Sequence, residues 1–390
     1  MVRSSGNIDP PQQASAIWEI SRLFLRLGLT AFGGPAAHVN LMQREFVERR
    51  KWITREQFLD LVGACNLLPG PGSTQVAMAL GYTRSGWIGL IVAGACFILP
   101  ASLATLALAW TYVRYGNLPQ VQGLLYGAKP VMIAIIVQAV WNLGRTAFRR
   151  WPLALIGLAS FAAVLINVPP LAVLFAAGAL AVPVTRLHRS RHAAFGIATL
   201  PSALSPGALA TTAPGAVGLL PILLVFLKLG VVVFGSGYVL LVFLKSDLVD
   251  RLHWITQPQL LDAITAGQIT PGPVFATATF LGYLLNGWTG AAIATAAIFL
   301  PSFLMAAAVG ALTGRIRRSI SASAFLDGVN AAAVALMASV VIVLARATFV
   351  DGWTWGIGIV SALLLIRFHL NSTWFVLAGA ALGILLHRSA

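Results

Sequence analysis

The chain repeats itself, and no other feature limits its fold as much. Set Phe32 over Phe234, an offset of 202, and Leu25, Leu27, Gly28 and Gly33 fall on Leu227, Leu229, Gly230 and Gly235. In the same register Trp52-Ile53-Thr54 meets Trp254-Ile255-Thr256, and Gln57, Leu59, Asp60 and Ala64 meet Gln259, Leu261, Asp262 and Ala266. Pro69-Gly70-Pro71 meets Pro271-Gly272-Pro273. One residue is then lost. Gly81-Tyr82, Gly86-Trp87, Leu99-Pro100 and Arg145 go on to meet Gly282-Tyr283, Gly287-Trp288, Leu300-Pro301 and Arg346. So many rare residues in one register mark a tandem duplication, so the fold is two copies of one unit.

What that unit is follows from how little charge it carries. The 390 residues are 58% hydrophobic and 9% charged, whereas a soluble domain carries about 25% charged residues. No soluble fold covers itself with this composition, so the class is an all-α polytopic membrane protein. The net charge of +15 does not form a nucleic-acid surface, because it sits in short clusters between apolar runs: Arg49-Arg50-Lys51, Arg149-Arg150, Arg186 to His192 and Arg315 to Arg318. That is the loop signature of the positive-inside rule. Cys65 and Cys96 lie in apolar segments without CxxC or His partners, as packing residues do. Met1 to Gln13 is polar, so no cleavable leader is expected there.

A helix needs about 20 apolar residues to cross the hydrocarbon core. The segments expected to do so are 17–35, 86–113, 123–148, 151–166, 171–184, 218–244, 287–313, 325–349, 353–368 and 372–387. Segments 58–82 and 260–285 are equally apolar but broken at their centres by Pro-Gly-Pro. The organisation read from this is a tail at 1–14, a first repeat at 15–185, a basic cytoplasmic linker at 186–214 and a second repeat at 215–388. Loop charge reverses between the halves. Arg44 to Arg55 carries five cations against Glu45 and Glu48, whereas its mate balances Lys245 and Arg251 against Asp247 and Asp250. The halves are therefore expected to face opposite ways. Each would have about five transmembrane helices plus a re-entrant hairpin tipped by Pro-Gly-Pro, an inverted-repeat architecture typical of secondary transporters.

Proline removes a backbone donor, and freed backbone at membrane depth is tolerated only inside protein or beside a watery cavity. The helix restarting at Gly72-Ser73-Thr74-Gln75 offers unsatisfied amides and the positive end of its dipole to an anion. A space-filling proline kink is the alternative, but two matched breaks, flanked by Asn66 and Gln268, favour the site. The candidate substrate-binding residues are thus Asn66, Pro69, Gly70, Pro71, Gly72, Ser73, Thr74 and Gln75, with Gln268, Thr270 and Gly272 in the second half. Arg26 and Lys228, equivalent cations inside apolar segments, join them as intramembrane charges; snorkelling to the interface is the alternative. Gly33 and Gly34 could expose donors or allow close helix packing. Asp60 and Asp262 could take up protons, or pair structurally with Arg49 and Arg251. His38 and His253 look isolated. No metal-ligand spacing, nucleotide loop or catalytic triad is present, so neither a cofactor, a metal nor an enzyme activity is expected.

The run Phe32-Gly33-Gly34-Pro35, His38, Met42, Glu45-Phe46-Val47, Arg50 or Arg49, Trp52 and Phe58-Leu59-Asp60 resembles the chromate ion transporters. So do Pro69-Gly70-Pro71, Gln75, Gly81-Tyr82, Gly86, Gly89 and Leu99-Pro100, and the likeness spans the chain in the long, two-domain form. The resemblance implies chromate efflux across the bacterial inner membrane, chromate resistance, and a drive from membrane potential or proton gradient. It also implies competition by sulfate, a near-isostere. A sulfate-like oxyanion exchanger or importer is the alternative function, and a membrane enzyme or assembly protein a more distant one. Expected partners are chromate, membrane lipid and a second copy of the chain as a homodimer. The second half departs from the pattern: Ser236-Gly237 replaces Gly34-Pro35, no His matches His38, and Phe275 replaces Ser73. The first tip is therefore expected to hold the anion.

Overall fold

A computed structural model describes residues 10–116, 118–189, 217–234, 237–316, 320–368 and 372–387. Most of the expected linker, together with Gly235, Ser236, Arg317 and Arg318, lies outside the described residues. Every regular element among those described is helical. The first half contains α1 (Pro10–Thr30), α2 (Gly34–Met42), α3 (Arg55–Cys65), α4 (Gly72–Tyr115), α5 (Pro119–Ala147), α6 (Trp151–Leu165) and α7 (Pro170–Arg189). The second contains α8 (Leu219–Val232), α9 (Leu240–Leu244), α10 (Gln257–Ile269), α11 (Thr277–Ile316), α12 (Ile320–Thr348), α13 (Gly352–Phe368) and α14 (Ser372–His387).

Matched residues build matched ends. Thr54 and Thr256 start α3 and α10, each accepting from the amide three residues on while Gln57 or Gln259 reaches back to the cap. Such reciprocal caps satisfy donors that a helix end leaves open. α2 and α9 each run on into a π-helical turn, Gln43–Arg49 and Lys245–Arg251. Two apolar segments expected to be continuous are divided. The 17–35 segment stops at Thr30 and restarts after Gly33, whose φ of 99° suits glycine. The 218–244 segment stops at Val232 and resumes at Gly237. Hydropathy counts apolar residues and cannot register a break made by small ones.

The long helices α4 and α11 are each two helices joined by a reversal. Ser85-Gly86 and Asn286-Gly287 leave helical geometry, with φ of 59° at Gly86 and 54° at Gly287. Residues eight apart in a straight helix are about 12 Å apart. Yet a Cβ on Gly81 would strike the Gly89 carbonyl, and one on Gly282 the Gly290 carbonyl. The piece from Gly72 to Arg84, about 20 Å at helical rise, therefore folds back on the piece that follows. α3, with 11 residues, is about 16 Å long.

The halves interlock reciprocally. α4 packs on α11; α1 packs on α4 and α8 on α11. Gly28 lies on the Phe97 carbonyl and Pro100, as Gly230 lies on the Ile298 carbonyl and Pro301. α5 packs against α13 and α14 of the other half, and α12 against α6 and α7. Glycines allow the approach: Gly127 meets Gly379 and Gly383, while Gly328 meets Ala177. Among the described residues, helices α4, α5, α11 and α12 contain stretches long and apolar enough to cross a membrane, and five further apolar helices are shorter. With the outer Trp and Leu side chains exposed, the chain is a multi-pass membrane protein.

Candidate functional site

Each Pro-Gly-Pro loop is held by the opposite half. The Gly70 amide donates to the Val233 carbonyl at 2.6 Å, and the Gly272 amide to the Ala31 carbonyl at 2.8 Å. Ala31 and Val233 are themselves equivalent in the repeat register. Both loop glycines take positive φ, 112° and 98°, which a side chain would strain. The breaks thus lie where the halves meet, each fixed by one bond across the junction.

Beyond the first loop, α4 begins with Pro71 as its cap residue, which supplies no side-chain acceptor. The amides of Thr74 and Gln75 turn back to the Pro71 carbonyl. Those of Gly72 and Ser73 have no acceptor ahead of them in the helix, and both residues line a cavity of about 830 Å³. Gly33, Pro35 and Asn40 on the α2 side, Asn66 at the end of α3, and Asn330 on α12 share that cavity. Gln138, Asn142 and Thr146 also line it; spaced four apart on α5, they form one polar stripe. The stripe leads over about 18 Å of helix, Ile135 to Ala147, to Arg149 and Arg150, with Asp327 facing Arg150. The cavity has a floor of neutral donors at a helix N-terminus and a mouth with two cations.

The His38 ring is buried beside this floor. Its Nδ1 lies 3.2 Å from Ser73 Oγ and its Nε2 3.0 Å from the Ala31 carbonyl. The ring reads as isolated in sequence; folding places it on the predicted anion helix. Its detectable signal was that His38 and Ser73 are both lost in the second half, to Leu240 and Phe275. Gln138, Asn142, Arg149, Arg150, Asp327 and Asn330 were also missed, because their relevance depends on α5 and α12 meeting α2 and α4.

Of the predicted residues, Gly33, Asn66, Gly72 and Ser73 line the cavity. Gly34 sits against the Tyr238 hydroxyl. Gln75 turns its amide onto the Pro69 carbonyl and braces the loop. The Thr74 side chain is fully buried, and its hydroxyl has no hydrogen-bond partner among the described residues. Thr270 bonds the Thr105 hydroxyl and the Gly267 carbonyl, and Gln268 bonds Tyr238. Arg26 lies on the exposed face of α1 with Leu25 and Leu29. Lys228 is taken by Asp247 at 2.8 Å.

The expected ion pairs have other partners. Arg49 pairs with Glu45, and Arg251 with Asp247. Asp262 instead joins Lys129 of the opposite half at 2.8 Å and accepts from the Tyr112 hydroxyl at 2.9 Å. Asp60 is exposed on α3. The correction at Asp262 has a simple cause: interlocking brings Lys129 of α5 onto α10, while Arg251, on the preceding π-helical turn, bonds Asp247 of its own turn.

A family model described as chromate transporter matches residues 18–182 and again 220–384. A chromate transport protein of Cupriavidus metallidurans is 36% identical, over 92% of this chain and 90% of that one. A probable chromate transport protein of Synechococcus elongatus is 30% identical, over 90% of each. A chromate transport protein of Pseudomonas aeruginosa is 32% identical, over 83% of this chain and 80% of its own. Comparison with solved structures finds none that matches.

Proposed function

This chain belongs to the chromate transporter family, and we propose that it is a secondary active transporter exporting chromate across the bacterial inner membrane. The observation that carries the reading is the cavity of about 830 Å³ that runs from the Arg149-Arg150 mouth to the first helix N-terminus. A tetrahedral dianion meets cations first and neutral donors last. The amides of Gly72 and Ser73, the positive helix end and the side chains of Asn66 and Asn330 then hold it. A floor without fixed charge binds a dianion without trapping it, which transport requires.

The two repeats, 15–185 and 215–388, are read as inverted, with the Pro-Gly-Pro hairpins re-entrant. Supporting this are the reversed loop charge, the reciprocal bonds of Gly70 and Gly272, and helical pieces of about 16 to 20 Å against a hydrocarbon core of about 30 Å. By the positive-inside rule the mouth at Arg149 and Arg150 is cytoplasmic, which supports export, and export of this anion is what would confer resistance. Everted vesicles holding the protein are expected to accumulate labelled chromate when energised, with excess sulfate tested as competitor. Uptake equal to vector vesicles would overturn the reading. Uptake of sulfate in preference to chromate would replace it with an exchanger or importer of sulfate-like oxyanions.

A further inference from the structure

We propose that the anion and one proton bind this cavity together, the proton residing on His38. The inference rests on the anion-binding reading above and adds a second ligand to it.

The chemistry follows from what each ring nitrogen faces. Nε2 lies 3.0 Å from the Ala31 carbonyl, which can only accept, so Nε2 carries a hydrogen in every state. Nδ1 lies 3.2 Å from Ser73 Oγ, and a hydroxyl has a single proton to give. If the ring is neutral, Nδ1 accepts that proton and Ser73 turns only lone pairs toward the cavity. An oxyanion arriving there is repelled. If the ring is charged, Nδ1–H donates to Oγ, and the Ser73 hydrogen is released to the anion. A dianion on the Gly72 and Ser73 amides therefore selects the charged ring, and the charged ring completes the anion's donor set. Each ligand raises the other's affinity by the same factor.

The surroundings leave that role to the anion. Just past the end of α1 the ring meets the Ala31 carbonyl, and from α4 the Ser73 hydroxyl and the edge of Phe97 at 5.6 Å between centroids. The titratable or charged groups of the same cavity are Tyr238, near Gly34, and Arg149, Arg150 and Asp327 at the mouth. No carboxylate is bonded to the ring among the described residues, which is 1% exposed. An imidazolium there would be a buried charge without a counterion, and the bound dianion is one.

The second half supplies an independent observation. The positions of His38 and Ser73 hold Leu240 and Phe275, both 0% exposed. The pair is lost as a unit where the floor is filled, as expected of two residues that share one proton. Ala31, which fixes Nε2, also receives the Gly272 amide from the other half, so the ring is anchored on the contact that joins the repeats.

The test is calorimetry of chromate binding to the purified full-length protein, in two buffers of different ionisation enthalpy. The pH is kept alkaline enough that free chromate is the dianion. Wild type is expected to take up about one proton per chromate bound. His38→Gln, whose amide donates to Ser73 at any pH, should bind within about tenfold of wild type and take up none. Chromate binding without proton uptake in wild type overturns the proposal and leaves the anion reading standing. Equal uptake in wild type and His38→Gln also overturns it, since the proton then resides elsewhere. Absence of chromate binding overturns both. Should His38→Gln fail to fold, nitrogen spectra of labelled histidine in wild type decide: chromate should convert one of the six histidines from a neutral to a charged ring, and no conversion overturns the proposal.

Discussion

Ser73 lines an open floor in the first half, whereas its equivalent Phe275 is fully buried in the second. The same contrast holds around both positions. His38 is answered by Leu240 and Asn142 by Val343; Asn330 is answered by Lys129, which Asp262 neutralises. At the mouth, Arg150 is answered by Asp351, which caps α13 through the Thr354 amide and accepts from the Tyr126 hydroxyl. Those two bonds hold the Asp351 carboxyl below its ordinary range. Residues that shape the backbone are shared between the halves: Gly70 with Gly272, Gly86 with Gly287, Thr54 with Thr256. His38, Ser73, Asn142 and Arg150, which present chemistry to the cavity, are not. Duplication kept one scaffold twice, and divergence opened one copy while sealing the other with apolar volume and a cross-half ion pair.

The hardest test of that contrast is to write the second half's residue into the first. Ser73→Phe should fill the cavity floor and reduce chromate uptake in everted vesicles to the vector level, with membrane abundance unchanged. Uptake near wild type would mean that the open floor is not the route. Next in size is the seal. Asp262→Asn leaves Lys129 without its counterion, and breaking a pair buried to this extent costs about 3–5 kcal/mol. The drop should appear in thermal unfolding in detergent, and Asp262→Asn with Lys129→Met should recover most of it. Asp60→Asn, at the exposed equivalent, should have a much smaller effect. Equal losses at Asp60 and Asp262 would erase the distinction drawn here.

The scaffold was the legible part of the sequence. Repeat register, the two breaks and the restart at Gly72 are local or periodic properties, and the fold carries all of them. Interlocking was not legible, because nothing in loop charge or hydropathy says that α14 packs on α5 and not on α12. The ion pair at Asp262 went astray for that reason: Arg251 is its nearest cation in sequence, and Lys129 of the other half is the one in contact. Arg26 was matched to Lys228 by register alone, yet the one is on an exposed face and the other bonded to Asp247. A register identifies equivalent positions; it does not make their surroundings equivalent.

If the scaffold is shared, damage to it should be symmetric. Gly70→Ala and Gly272→Ala each force a side chain into positive φ beside close neighbours, Ser302 in the first case and Ala101 in the second. Backbone strain of this kind costs about 1–3 kcal/mol. Unfolding temperatures of the two variants should fall together. A loss confined to one would show that only one loop bears on the junction.

The smallest expected effect concerns the mouths, and there the halves should separate again. Arg150 is exposed at the rim of the cavity, where a charge acts on encounter with the anion more than on its retention. Arg150→Asp should therefore raise the KM for chromate by about three- to tenfold at low salt and leave the maximal rate unchanged. The penalty should shrink as salt is added, because the Debye length is only about 10 Å at 0.1 M. The reciprocal change, Asp351→Arg, removes a helix cap and an acceptor for Tyr126, and should cost about 1 kcal/mol of stability without moving KM. A salt-dependent rise in KM from Asp351→Arg would place the anion's entry on the second half. A salt-independent fall in rate from Arg150→Asp would make Arg150 part of the floor's work instead of the mouth's.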